Sequence, residues 1–109
     1  MGTTKSAIFT EEQNELAALI KALAHPARIA IVQHLLQLNA CVCGDLVGEL
    51  KLAQSTVSQH LKELKKVGLI KGTIEGTSVC YCIDSEKWME AKEKLDELFG
   101  SKISQQSCC

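Results

Sequence analysis

The stretch GDLVGELKLAQSTVSQHLKELKKV, residues 44–67, decides how this chain folds. In its first part, roughly Gly44 to Leu50, Leu46, Val47 and Leu50 have the spacing of a short helix with one inward side. Lys51-Leu52-Ala53 is too brief to be more than a turn. From Gln54 to Val67, the residues Val57, Leu61 and Leu64 recur at helical spacing. Gly68 supplies the stop, and Lys65 and Lys66 before it suit the carbonyl end of the helix dipole. Two helices joined by a three-residue turn make a helix-turn-helix. With Val57, Leu61 and Leu64 turned inward, the opposite side shows Ser55, Ser58, Gln59, Lys62 and Lys66. The first turn shows Gln54, Ser55 and Thr56. Hydroxyl and amide side chains at a helix N-terminus reach base edges and phosphates when that terminus enters the major groove.

Downstream the period changes to two. Ile70, Gly72 and Ile74 alternate with Lys71, Thr73 and Glu75, and Val79, Tyr81 and Ile83 alternate with Ser78, Cys80 and Cys82. Glu75-Gly76 is the turn between them, so a β-hairpin with one apolar face is expected, placed where a winged helix carries its wing. A last helix starts at an Asp84-Ser85 cap and should turn Trp88, Ala91, Leu95, Leu98 and Phe99 inward. Upstream, Leu16, Leu19, Ile20 and Leu23 mark one stripe of a helix that begins at a Thr10/Gln13 capping box, with Glu11 and Glu12 at its positive end. His25-Pro26 ends that pattern, His25 as a cap and Pro26 in the first turn of a second helix. This helix carries Ile29, Val32, Leu35 and Leu36 and ends at Asn39-Ala40. The expected fold is mainly α with a small β-hairpin wing, a winged helix-turn-helix. Residues 1–100 form the DNA-binding and dimerisation domain, and residues 101–109 form a flexible, Cys-terminated tail.

A length of 109 residues is one domain's worth of chain, and 46% hydrophobic residues are too many for disorder. No apolar run approaches the ~20 residues a membrane span needs, and Met1 to Thr10 has no signal-peptide core, so no membrane partner and a cytoplasmic location are expected. The net charge of −1 argues against nucleic acid, but its distribution does not. Lys51, Lys62, Lys65, Lys66 and Lys71 face one acid, Glu63, between positions 51 and 71. Residues 84–97 are the acidic part. A basic segment within an acidic chain leaves an electrostatic footprint for DNA.

Several of these runs resemble the ArsR-type metalloregulators. Leu23-Ala24-His25-Pro26-Ala27-Arg28-Ile29 is similar to that family's entry into its second helix. Residues 45–50 and 54–64 resemble its helix-turn-helix, and Val67-Gly68-Leu69-Ile70 and Val79-Cys80-Tyr81 resemble its wing. The likeness covers about residues 12–99. It implies a homodimeric transcriptional repressor, with no enzymatic activity, that leaves an inverted-repeat operator when an inducer binds. Ala53 stands where the family commonly has a Ser that caps the recognition helix.

Six cysteines in a chain expected to stay in a reducing compartment point to ligands or redox groups rather than staples. Cys41-Val42-Cys43 lies just before the helix of Gly44 to Leu50, where relatives sensing arsenite or soft metals place a C-x-C pair. Soft thiolates select thiophilic ions. The resemblance implies arsenite or antimonite held by three thiolates in a pyramid. The family's third cysteine falls here on Leu46, so Cys108 or Cys109 is expected to complete the set. The tail from Gly100 spans up to ~30 Å when extended. Cys80 and Cys82 share the strand face opposite the packed one and are expected to be surface positions of the wing, with a second thiophilic site as the alternative. Other thiophilic ions (Cd, Pb, Zn, Cu) or thiol oxidation are the alternative signals, and no cofactor is needed for DNA binding itself. The family's Asp/His zinc site on the last helix is excluded, because residues 84–99 contain no histidine.

A small thiol enzyme is the competing class. Cys43 precedes a helix, a place where a thiolate can be activated, but C-x-C is not the C-x-x-C of thioredoxin-like units and no strand is expected before it as such a unit requires. The first and last helices each carry an apolar stripe, so a homodimer is expected through Trp88, Leu95 and Leu98 with Leu16, Leu19 and Ile20.

Overall fold

The structure, a computed structural model, describes residues 8–43, 54–73 and 80–103. The expected helix over Gly44–Leu50, the turn before Gln54, the hairpin turn at Glu75-Gly76, and Cys108 and Cys109 lie outside the described residues. In chain order the elements are α1 (Glu11–Leu23), α2 (Pro26–Leu38), β1 (Val42–Cys43), α3 (Gln54–Lys66), β2 (Ile70–Thr73), β3 (Cys80–Ile83) and α4 (Ser85–Phe99).

Local chemistry accounts for several of the described helix ends. At the start of α1, the Gln13 backbone N–H donates to Thr10 Oγ1 and the Thr10 N–H donates to Gln13 Oε1, both at 3.0 Å. This reciprocal pair satisfies two of the four donors that a helix start leaves open. At α2, His25 Nδ1 accepts from the Ala27 N–H, Pro26 fills the first turn, and Asn39 closes the helix in the left-handed region at φ 51°. At α4, the Asp84 side chain accepts from the Lys87 N–H. The end of α3 is a Schellman motif: Gly68 N–H donates to Lys65 C=O and Leu69 N–H to Leu64 C=O, with Gly68 at φ 87°. That motif turns the chain sharply and drops Leu69 and Ile70 into the core.

The core forms where α1, α2 and α3 meet the inner face of the sheet. Leu19, Ile31, Val32, Leu35, Val57, Leu61, Leu64, Leu69, Ile70, Tyr81 and Ala91 are buried together. At about 1.5–3 kcal/mol for burying one large aliphatic side chain, the α3 trio of Val57, Leu61 and Leu64 is the main grip on that helix. The sheet has three antiparallel strands in the order β1-β3-β2. The β2–β3 register sets Ile70 opposite Ile83 and Gly72 opposite Tyr81 on the core face, and Lys71 opposite Cys82 and Thr73 opposite Cys80 on the other.

The winged helix-turn-helix class and the apolar face of the hairpin are as expected, but four details differ. The sheet gains a third strand, β1, because Val42 pairs with Tyr81 and turns toward the core. In α2 the buried stripe runs through Ile31, Val32 and Leu35, leaving Ile29 and Leu36 45% and 43% exposed. In α4, Ala91 is buried and Trp88 and Leu95 pack against the core. Leu98 and Phe99 are 50% and 78% exposed, because the last turn runs past the packed segment. Leu19, expected at a dimer contact, is instead buried within its own chain, whereas Ile20 is exposed.

Candidate functional site

Helix α3 is positioned from two sides. Its apolar side holds Val57, Leu61 and Leu64 in the core. Next to these, His60 is also buried: its Nδ1 accepts a hydrogen bond from Arg28 Nε at 3.1 Å, and its ring lies 4.4 Å from that of His25. Arg28 in turn donates from Nη1 to the Ala22 carbonyl at 3.2 Å. Residues 22–28, at the corner between α1 and α2, thus clamp α3 through one imidazole. Burial first, then the neighbouring His25 and Arg28, push the His60 pKa below the ordinary histidine value and favour the neutral acceptor form that Arg28 requires. The periodic reading of α3 gave no role to His60. Its signal was a polar residue between Val57 and Leu61 on a helix whose apolar stripe is otherwise complete.

The other side of α3 is open. Ser55, Thr56, Gln59, Lys62, Lys65 and Lys66 are exposed and Ser58 is half-buried, all on one helix as the spacing requires; Gln54 opens the helix. Within this face Gln59 donates to Glu63 Oε2 at 3.2 Å, and Lys66 makes an ion pair with the same oxygen at 3.4 Å. Lys65 Nζ donates to the Gly72 carbonyl at 2.6 Å and so ties the end of α3 to the hairpin.

The cysteines form a second constellation. β1 pairs with β3 so that Val42 faces Tyr81 and Cys43 faces Cys80. Val42 and Tyr81 turn to the core, so Cys43 and Cys80 turn away from it. The alternation puts Cys41 and Cys82 on that outer face too, and their thiols are hydrogen-bonded to each other. This hydrogen bond first, then burial, raises the Cys82 pKa above the usual thiol value. Cys43 and Cys80 are joined as a disulfide with their Cα atoms 4.0 Å apart, while Cys41 and Cys82 are free thiols. Among the described residues no three His, Cys, Asp or Glu side chains stand together as a ready metal-ligand set in this oxidised arrangement. A cavity of about 380 Å³ opens beside Cys41 and Cys82, walled by Leu35, Trp88 and Met89, with Lys71 at its edge.

Two sequence expectations change here. Cys43 is not a free thiol but is bonded to Cys80, because the antiparallel register sets them directly opposite. Cys80 and Cys82 are not isolated surface positions of the wing, for each lies across from one member of the Cys41/Cys43 pair. The signal was present in the sequence as two C-x-C runs of the same spacing. What the sequence lacked was the strand character of the first.

Comparison with known proteins places this arrangement. Residues 25–71 match the family described as "Bacterial regulatory protein, arsR family". A protein of Methanocaldococcus jannaschii named "Uncharacterized HTH-type transcriptional regulator MJ1325" is 37% identical over 89 residues, covering 81% of this chain and 99% of that one. The chain belongs to the arsR family of bacterial regulatory proteins. Members of this family are transcriptional regulators that bind DNA and not enzymes. The chain is similar to the "HTH-type transcriptional repressor SmtB" of Mycobacterium tuberculosis, at 48% identity over 63 residues, 58% of this chain and 46% of that protein. It is also similar to the NMR structure of "the cadmium metal-sensor CMTR from Mycobacterium tuberculosis", at 37% identity and a TM-score of 0.52, covering 86% of this chain and 96% of that one. No helix among the described residues is long and apolar enough to cross a membrane.

Proposed function

We propose that this arsR-family regulator is a cytoplasmic, homodimeric repressor that binds an inverted-repeat operator and is released by a thiophilic ion, arsenite or antimonite, held by cysteine thiolates. The observation that carries the reading is the position of Cys41 and Cys43: off the core, just before and within β1, immediately ahead of residues 44–67 in the chain. An ion gripped there acts on the backbone just before residues 44–67. The inducer takes Cys41 and Cys43 plus a third thiolate from Cys108 or Cys109 in the tail of residues 101–109, or from the wing.

In the DNA-bound state Gln54, Ser55, Thr56, Ser58, Gln59, Lys62 and Lys66 face the operator. Gln54 or Gln59 reads an adenine edge through its amide, and Lys62, Lys65 and Lys66 meet phosphates. Exposed Ile20, Leu98 and Phe99 on α1 and α4 support dimerisation through those helices, which sets two α3 helices about 34–36 Å apart on the DNA. By linkage, an ion that prefers the DNA-free form weakens DNA binding by the same factor, typically ~1–3 kcal/mol.

Two observations support variants of the signal. The likeness to a cadmium sensor supports a soft divalent ion, and the Cys43–Cys80 bond supports thiol oxidation. Fluorescence anisotropy with an operator duplex tests the reading. The reduced protein should bind at nanomolar to micromolar concentration and be released by As(III). Release by Cd(II) alone, or by peroxide alone, moves the signal to that variant. A monomer by sedimentation at micromolar concentration, or a duplex that stays bound under all three, overturns the reading.

A further inference from the structure

We propose that Cys80 and Cys82 of the wing strand complete the ion site begun by Cys41 and Cys43, so that β1 and β3 together form one intrachain thiolate face and the tail is not needed. The proposal rests on the reading of the chain as a soft-ion-released repressor and names the ligands of that same site.

The placement comes from the register. Two C-x-C runs lie side by side, one on β3 and the other ending on β1: Cys43 is directly across from Cys80, and Cys41, one residue before β1, is hydrogen-bonded to Cys82. Directly opposed Cβ atoms in such a ladder are ~4.5–5.5 Å apart, close enough for sulfurs on flexible stems to converge on one ion. The core face of the same residues is filled by Val42 and Tyr81, so all four sulfurs emerge on one side of the sheet. That one-sidedness selects the ion. A tetrahedral divalent ion is surrounded by its donors, whereas trivalent arsenic or antimony takes three thiolates from one side and points its lone pair away. Lys71 and Thr73 pair with Cys82 and Cys80 on the same face, and Lys71 places a positive charge beside developing thiolates. The cavity at Cys41 and Cys82 gives a small neutral oxyacid a way in.

The steps balance. A dithiol reductant exchanges with the Cys43–Cys80 disulfide, giving two cysteine thiols and the oxidised, cyclic form of the reductant. Arsenous acid, As(OH)3, then condenses with three of the four thiols: three As–O bonds break, three As–S bonds form, and three waters leave with the thiol protons. The disulfide therefore competes with the ion for the same sulfurs. The product cross-links β1 to the wing strand and fixes the segment that runs into residues 44–53.

Alkylation footprinting of the intact protein tests this. The chain is reduced with a dithiol, freed of it, loaded with sodium arsenite, pulsed with iodoacetamide and read by peptide mass spectrometry. Cys41, Cys43 and at least one of Cys80 and Cys82 should alkylate at least tenfold more slowly with arsenite, and Cys108 and Cys109 at an unchanged rate. Protection of Cys41 and Cys43 with Cys108 or Cys109, and of neither wing cysteine, overturns the wing proposal but leaves the repressor reading intact. No protected cysteine together with an operator complex that survives arsenite overturns both. As a second measure, the reduced Cys80→Ser/Cys82→Ser protein should lose the near-ultraviolet As–thiolate absorption on titration. A chain cut after Gln106 should keep it. The opposite pattern in a variant with a native far-ultraviolet dichroism spectrum overturns the proposal.

Discussion

Strand β3 is held differently along its two edges. Toward β2 the ladder runs through four residue pairs, and Gly72 at φ 130° lets the backbones approach so closely that a Cβ there would meet the Cys80 carbonyl. Toward β1 it runs through two residue pairs and is fastened by sulfur: a disulfide at Cys43–Cys80 and a thiol hydrogen bond at Cys41–Cys82. Two residue pairs carry few backbone hydrogen bonds, so opening the disulfide should loosen the β1 edge and leave the β2 edge alone. Within one sheet, one edge is fixed by geometry and the other can be set by chemistry.

The largest effect should come from the core rather than from either edge. Leu64→Ala empties a site with no solvent exposure where α3 meets the core, and should cost about 2–5 kcal/mol in a urea melt. A loss near zero would mean that α3 is not seated as described. Reducing the Cys43–Cys80 bond opens a loop of sequence separation 37 and should lower stability by about 2–4 kcal/mol. Hydrogen exchange should then speed up at Val42 and Cys43 while the β2 amides keep their protection. Equal loss of protection at β2 would erase the contrast between the edges.

Gly72→Ala attacks the other edge. It places a Cβ at positive φ against the Cys80 backbone and should cost about 1–3 kcal/mol, lost whether the disulfide is open or closed. A cost seen only in the reduced protein would show that the edges are coupled. The smallest effect concerns pH and neither edge. His60 is held neutral, with a folded pKa below its unfolded value, by burial, His25 and Arg28. Protons therefore bind the unfolded chain more readily. Stability should be flat above about pH 6.5 and fall as pH drops through it. His60→Gln, which keeps an acceptor for Arg28, should flatten that fall in a thermal melt. An unchanged slope would assign it to other groups.

The four described helices were legible in the chain, because helix periodicity and caps are local. Thr10 and Gln13 close a capping box within four residues, Gly68 sits where the end of α3 needs a left-handed residue, and the period of Val57, Leu61 and Leu64 already says which side of α3 is buried and which is left open. The sequence by itself also determined that the hairpin has one apolar face. It did not reveal where α4 stops packing, since the same apolar spacing continues through Leu98 and Phe99 whether or not a neighbour covers them. Nor did it reveal that His60 belongs to a clamp with Arg28, which is 32 residues away in the chain. The thiol face was decided by tertiary structure alone. Cys41-Val42-Cys43 is too short to announce a strand, and its partner lies 37 residues on, so only the antiparallel register could set two C-x-C runs side by side.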